Sequence, residues 1–445
     1  MKLASKIRSM VLNVLLNPRF IALKHRWIER RRRLGGQRHA VSVFLQIDDP
    51  YSYLLSYYLP SLAGHYDIDL RLHLSRARGE EYQPEPGMLA EYAVMDCTRL
   101  ARELGIPFLD KGNLPPTEHR VGLSDAVASS AGTDTFGEEL RQALEVFWRG
   151  DSAAAARLGE AGSNTGKALE TIKESQALQQ KLGHYTSAML HYGGEWYWGV
   201  DRLHYLLDRL DDLGVARGDS PDPVLASIRQ AMQVSLPVKP PAAAKDLPAI
   251  EYFHSFRSPY SYLGLKRIIE IADAFGVELK LRPVLPMVMR GLKVPQAKLL
   301  YIVKDTGREA LRRNIAFGKI ADPVGKGAER CLAVFRYAES ENRERDFSMN
   351  AGQAIWSEAI DVATYKGMRK VTGRTGLFWP DVEKAMSSDD WQKPIDANRE
   401  SMMNSGSWGV PTIRMGDFLA WGQDRDWILV RHLEELCDSG DGILV

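Results

Sequence analysis

Cysteine is scarce in this chain. Among 445 residues there are three, Cys97, Cys331 and Cys437, odd in number and far apart, so neither a disulfide framework nor a CxxC pair is available. Scattered cysteines of this kind read as small buried hydrophobes in a reducing compartment, which predicts a cytoplasmic protein. Histidine is sparse too, and with no HExxH motif and no cysteine–histidine cluster, no metal site is predicted. The leader's apolar patch, Met10 to Leu16, is interrupted by Asn13 and is far too short to span a bilayer. It also lacks the longer apolar core and small-residue cleavage site of a signal peptide.

Net charge is nearly absent, at +1, but the balance is uneven. Residues 1–36 hold ten Lys or Arg against the single acid Glu29, a net of +9 that leaves −8 for the remainder. An acidic remainder carries no nucleic-acid footprint. The basic leader, residues 1–38, mixes Lys24, Arg26 and Arg30 to Arg33 with Phe20 and Trp27. It reads either as a basic amphipathic helix on an anionic membrane surface or as an arm, solvated or packed on the acidic part. With 44% hydrophobic and 26% charged residues the rest is ordinary globular chain, long enough for two or three domains.

The informative stretch is Phe256-Arg257-Ser258-Pro259-Tyr260-Ser261-Tyr262-Leu263. An apolar run, Ile250 to Phe256, precedes it, and Leu265, Ile268, Ile269 and Ile271 follow at helical spacing, predicting strand, tight turn and helix start. Such a turn aims free N–H groups and a helix dipole at whatever sits on Ser258, which favours an anion. A copy lies earlier: Asp48 to Leu54 maps onto Arg257 to Leu263, residue 49 onto 258, an offset of 209 with five of seven positions identical. The same offset carries Ile68, Leu70, Leu72 and Leu74 onto Val277, Leu279, Leu281 and Pro283. Nearer the chain end, residue 201 maps onto 424, an offset of 223 that superposes Gly193, Trp198, Gly199, Asp201 and Arg202 on Gly416, Trp421, Gly422, Asp424 and Arg425. Two copies at this period predict a duplicated domain rather than a solenoid.

The expected order is leader 1–38, first repeat 39–236, proline-rich extended linker 237–248 and second repeat 249–445. In the first, strands are predicted at 40–47 and 68–74, a helix at 51–62, helices from 86 to 182, a strand pair at 188–191 and 195–198, and a helix at 201–213. In the second, strands at 249–255, 277–282, 411–415 and 418–421 flank helices at 260–274, 298–320, 328–340, 349–371 and 425–438. Ala161 to Ala168 nearly matches a phosphate-binding loop, but Ala168 lacks the hydroxyl that would hold magnesium and no strand precedes it.

This α/β pattern is that of two tandem thioredoxin-like domains, each interrupted by a helical insert. The Ser-Pro-Tyr-Ser-Tyr turn, Gly409-Val410-Pro411-Thr412 and Trp421-Gly422-Gln423-Asp424-Arg425 resemble the DsbA-like family, in its branch of 2-hydroxychromene-2-carboxylate isomerases and kappa-class glutathione transferases. In DsbA-like oxidoreductases the turn reads Cys-Pro-x-Cys; here it reads Ser258-Pro259-Tyr260-Ser261, which removes the sulfur that disulfide exchange needs. The resemblance implies that glutathione brings the sulfur, held as thiolate by Ser258 as the catalytic residue. It further implies that Val410 and Pro411, with Gln423 and Asp424, bind the glutathione, its peptide pairing like an added strand and its amine meeting Asp424. Tyr260 and Trp408 offer aromatic surface to a substrate, and Lys304 or Lys326 a cation for a carboxylate. Each has a plainer reading: Ser258 and Asp424 as helix caps, Pro411 as the opening of an edge strand, the aromatics as core and the lysines as solvated.

In the first repeat Asp49 replaces the serine and Ala188 the proline, so that repeat is expected to be a degenerate partner, the two packing as a pseudo-dimer. The implied function is a glutathione-dependent isomerase or transferase acting on a small electrophilic, foremost aromatic, substrate. The alternative is a catalytically degenerate scaffold or peptide binder on the same fold. A thiol–disulfide oxidoreductase is third.

Overall fold

The structure, a computed structural model, describes residues 13–14, 16–76, 82, 84–109, 118–160, 165–292 and 294–441. Most of the leader's apolar patch and the start of segment 161–168 lie outside the described residues. The chain divides into two compact units. One comprises Leu23–Gln233 with Pro295–Lys298, and the other holds the rest of the described chain.

In the first unit β1 (His39–Leu45) and β2 (Ile68–Leu74) pair in parallel, and β3 (Met189–Tyr192) and β4 (Glu195–Trp198) complete a four-stranded sheet of order β2-β1-β3-β4. Val41, Val43, Phe44 and Leu45 make β1 a buried central strand. In the second unit β5 (Ile250–His254), β6 (Leu279–Pro283), β7 (Thr412–Met415) and β8 (Phe418–Trp421) form a sheet of order β6-β5-β7-β8. Glu251 ties three of its strands, accepting from Arg282 at 3.0 Å and from Arg414 at 2.7 Å. Burial pushes the Glu251 carboxyl up, but the two guanidiniums outweigh it and hold the group below its ordinary value.

Strand register follows both sequence offsets. Val41 faces Leu70 and Ile250 faces Leu279, each shifted by 209; Met189 faces Trp198 and Thr412 faces Trp421, each shifted by 223. The antiparallel pairs Phe44–Met189 and Phe253–Thr412 obey the two offsets together. Hydrogen bonds repeat as well. Ser52 Oγ accepts from the Gln46 N–H at 3.1 Å, and Ser261 Oγ from the Ser255 N–H at 3.2 Å. The Tyr53 hydroxyl donates to the Pro107 carbonyl, and that of Tyr262 to Ala316.

Helices Pro86–Leu104, Glu118–Ser129, Phe136–Trp148, Ser152–Glu160 and Thr165–Lys181 lie between β2 and β3. Between β6 and β7 lie Gln296–Arg312, Lys326–Ser340, Glu344–Ser357, Tyr365–Thr375, Trp379–Met386 and Gln392–Asn404. Two expected helices are corrected. The stretch 298–320 stops at Arg312, and Asn314 beyond it takes the left-handed conformation, with φ of 51°. The stretch 349–371 is two helices, because Thr364 caps a new one by accepting from the Gly367 N–H at 3.0 Å. Helix Pro223–Ala231 follows Gly199–Asp212, a feature the sequence reading left out. The linker is not wholly extended: Ala242–Asp246 is a short 3-10 helix. Among the described residues no helix is long and apolar enough to cross a membrane.

Candidate active site

Ser258 stands where β5 gives way to helix Pro259–Phe275. Its backbone is extended (φ −98°, ψ 114°), Pro259 opens the helix, and the Ser258 Oγ accepts from the Ser261 N–H at 3.1 Å. The serine is therefore a helix cap. Accepting that bond uses a lone pair and leaves the hydroxyl proton to donate elsewhere. Arg257 fastens the turn to the segment before helix Lys326–Ser340 by donating to both oxygens of Asp322, at 2.8 and 3.0 Å. His254, at the end of β5, is pushed by burial to about 3 and stays a neutral imidazole at physiological pH.

The antiparallel pairing of Phe253 with Thr412 brings the chain entering β7 to the sheet end where β5 runs out into Ser255–Ser258. There the Val410–Pro411 bond is cis. Val410 packs against Phe253, Val284 and Met402. Behind it, Thr412 Oγ1 donates to the Gly409 carbonyl at 2.7 Å. Gly409 has no room for a side chain, since a Cβ would meet the Trp421 ring at 2.2 Å. Among the described residues the Val410 N–H and C=O have no hydrogen-bond partner. The result is a half-exposed peptide edge beside the serine turn.

After β8 the Gly422 N–H donates to the Pro411 carbonyl at 2.9 Å, linking the two loops. Gly422 has φ of 127°, and a Cβ there would strike Asp424 Oδ1 at 2.5 Å. Asp424 is two residues ahead of helix Asp426–Asp441, with Oδ1 3.6 Å from the buried Arg425. Gln423 is buried; its amide nitrogen donates to Glu309 Oε2 at 2.9 Å, while its buried Oε1 has no partner among the described residues.

The remaining candidates are dispersed. The Tyr260 hydroxyl donates to the buried Asp305 at 2.8 Å. Trp408, expected to offer surface to a substrate, is 3% exposed and packs edge-on against Trp421 with ring centroids 5.0 Å apart. Its large ring has gone to the core, as aromatics of that size usually do. Lys304 is exposed on helix Gln296–Arg312. Lys326, also exposed, sits on the rim of a cleft of about 460 Å³ whose apolar wall includes Leu285, Met289, Met386, Trp391 and Ile395.

Sequence reasoning passed over Arg290, which donates to the Trp408 carbonyl at 3.4 Å and whose buried Nε has no partner among the described residues. Burial, with Arg399 beside it, pushes its pKa down. Asp305 and Arg308 were missed too, although the 209 offset carries Tyr92, Asp96 and Arg99 onto Tyr301, Asp305 and Arg308.

The first unit repeats the frame with different chemistry. Asp49 caps helix Pro50–His65, accepting from the Tyr51 and Ser52 N–H groups at 3.3 and 3.2 Å and from the Ser52 hydroxyl at 2.6 Å. Burial pushes its carboxyl up to about 6. The Gly199 N–H donates to the Ala188 carbonyl at 2.7 Å, but Ala188 takes φ of 53° where Pro411 stands in the second unit. Asp201, whose identity with Asp424 suggested a cap, is inside helix Gly199–Asp212, and Trp198 holds the cap position.

Residues 249–434, less than half of the chain, match the family described as DSBA-like thioredoxin domain. The particular relatives are isomerases. The 2-hydroxychromene-2-carboxylate isomerase of Pseudomonas putida is 25% identical over 199 residues, 42% of this chain and 95% of that protein. That of Sphingobium xenophagum is 21% identical over 192 residues, 40% of this chain and 93% of the other. A solved 2-hydroxychromene-2-carboxylate isomerase is 22% identical, covering 44% of this chain and 100% of that one with a TM-score of 0.40.

Proposed function

We propose that residues 249–445 form a glutathione-dependent isomerase or transferase acting on a small electrophilic aromatic compound, and that residues 39–236 are a degenerate duplicate of the same domain. The duplication is supported by strand register and by hydrogen bonds that repeat at the two sequence offsets. The observation that carries the function is the peptide edge at Val410, with no partner among the described residues and at the sheet end that holds Ser258. A γ-glutamyl peptide added there completes the hydrogen bonds of that edge.

Glutathione would supply the sulfur nucleophile, adding to a conjugated carbonyl and leaving again in an isomerisation, or staying in a transfer. The chain's own groups do the rest. Ser258 donates its hydroxyl proton to the sulfur, a charged acceptor, contributing about 1.5–3 kcal/mol. That energy lowers a thiol pKa by about one to two, enough to matter near neutrality. Asp424 meets a cationic amine, and Gln423 Oε1 has acceptor capacity to give to the same group. The cleft at Lys326 is mixed in character, with Glu329, Asp389 and Asp396 in its lining, but its wall of Leu285, Met289, Trp391 and Ile395 offers an aromatic ring apolar surface. Arg290 is the cation set to meet a carboxylate such as that in the names of the relatives.

Two rivals make different use of the same groove. A binding domain without chemistry is favoured by Ser258 having a structural role already, as the cap of helix Pro259–Phe275. A disulfide oxidoreductase needs sulfur where Ser258 and Ser261 carry oxygen, and Cys331 is buried with its thiol pushed well up. Ultraviolet difference titration of the bound thiol separates these readings. The enzyme reading predicts a thiol pKa lowered by about one to two in the complex and restored in Ser258→Ala; a bound thiol with its free-solution pKa would sink it.

A further inference from the structure

Helix Pro18–Leu34 is two-faced in an unusual sense. Successive residues turn by about 100°, so His25, Ile28, Glu29 and Arg32 share one side, and all four are partly covered. That side is fastened to the first unit: His25 Nε2 lies 3.0 Å from Glu195, and Lys24 donates to the Gly194 carbonyl at 3.4 Å. The opposite side carries Leu23, Trp27 and Leu34, within roughly 40° of one another on the helical wheel. They are 62%, 60% and 80% exposed. An amphipathic helix ordinarily turns such residues inward; here they face out.

Cations flank that outward apolar stripe. Arg26, Arg30, Arg31 and Arg33 are all exposed around it, with the Arg31 guanidinium 5.6 Å from the Trp27 ring centroid. The helix's one acid does not offset them outward. Glu29 sits on the covered side, where hydrogen bonds from Arg32 and Arg33 hold its carboxyl down to about 2. A stripe of Leu and Trp ringed by arginine matches a surface that is apolar a few ångströms deep and negatively charged above. An anionic lipid surface has that layering, with Trp favoured at the boundary. A nucleic-acid backbone satisfies the charge but gives Leu23 and Leu34 nothing to enter.

We infer that the outer face of this helix docks the protein on anionic membrane surfaces, lying in the interface without crossing it. The inference is independent of the glutathione reading, because none of these residues belongs to that site.

The test is co-sedimentation of the full-length protein with vesicles of neutral phosphatidylcholine or of phosphatidylcholine containing about 30% phosphatidylglycerol. Binding to the anionic vesicles alone, weakened by salt of about 0.5 M, is expected. Leu23→Glu/Trp27→Glu should weaken it by about tenfold or more, since both residues enter the interface. Replacing the four exposed arginines by glutamine should cost about six-hundredfold, at roughly fivefold for each charge. All six side chains are exposed, so circular dichroism and melting should be unchanged. No vesicle binding, equal binding to neutral vesicles, or binding indifferent to both variants overturns the proposal. So does a self-association, or binding to duplex DNA without lipid binding, that Leu23→Glu/Trp27→Glu abolishes, since another surface would then be the occupant.

Discussion

The Tyr260 hydroxyl donates to Asp305, and the Tyr51 hydroxyl donates to Asp96, both at 2.8 Å and 209 residues apart. Arg308 donates to the second oxygen of Asp305 at 2.6 Å. Each carboxylate is buried, so each tyrosine next to the cap position is spent on keeping a charge satisfied rather than on a substrate. Tyr260→Phe should therefore cost about 1–3 kcal/mol in urea unfolding while leaving glutathione affinity unchanged. A stable variant with lost affinity would return Tyr260 to the binding surface.

Gly409→Ala is expected to act on both levels. Its Cβ would overlap the Trp421 ring, which is packed against Trp408 and has little freedom to retreat. A loss of about 1–3 kcal/mol in stability should accompany weaker glutathione binding, because Val410 is displaced with it. Thermal melting and titration of the same sample check the two together.

Asp49 predicts a pH dependence from the first unit. Its folded pKa, about 6, is above that of an unfolded aspartate, so the native state holds the proton more tightly. The group's cost is absent below the unfolded value near 4, grows as pH rises through 6 and is full at neutrality. Asp49→Asn, which keeps a capping oxygen, should raise stability at pH 7 by about 1–2 kcal/mol, with the gain fading as pH falls from 6 towards 4. A gain independent of pH would contradict the assignment.

Glu251 has the opposite sign. Its folded pKa is below the ordinary value, so its contribution is present above the unfolded pKa and is lost as pH falls through the folded one. Glu251→Gln should cost about 1–3 kcal/mol at pH 7, because Arg282 and Arg414 lose their shared acceptor. At acid pH, where the native carboxyl is itself protonated, the two proteins should unfold at the same urea concentration.

Much of both units was legible because the signals are local. The strand at 68–74, the Ser258 turn and the loops at Val410 and Gln423 are marked by alternation, Pro and Gly, and the structure has elements or turns at those positions. The break at 358–364 was not legible, since Asp361 and Thr364 look like ordinary polar helix residues until their side chains bond back to the main chain. Trp408 was misjudged because an aromatic beside a glycine loop reads the same whether it faces a ligand or the core. The Tyr–Asp–Arg set escaped for another reason. Its three residues span two turns of a helix, and only the bond from Tyr260, forty-five residues upstream, gives them meaning.

The most direct measurement is calorimetric titration of glutathione into the full-length protein, Ser258→Ala and Asp49→Ala. One saturable site per chain, weakened about tenfold or more by Ser258→Ala and untouched by Asp49→Ala, is the expected result. No binding, two equivalent sites, or affinity indifferent to Ser258 would contradict a single working site in the second unit.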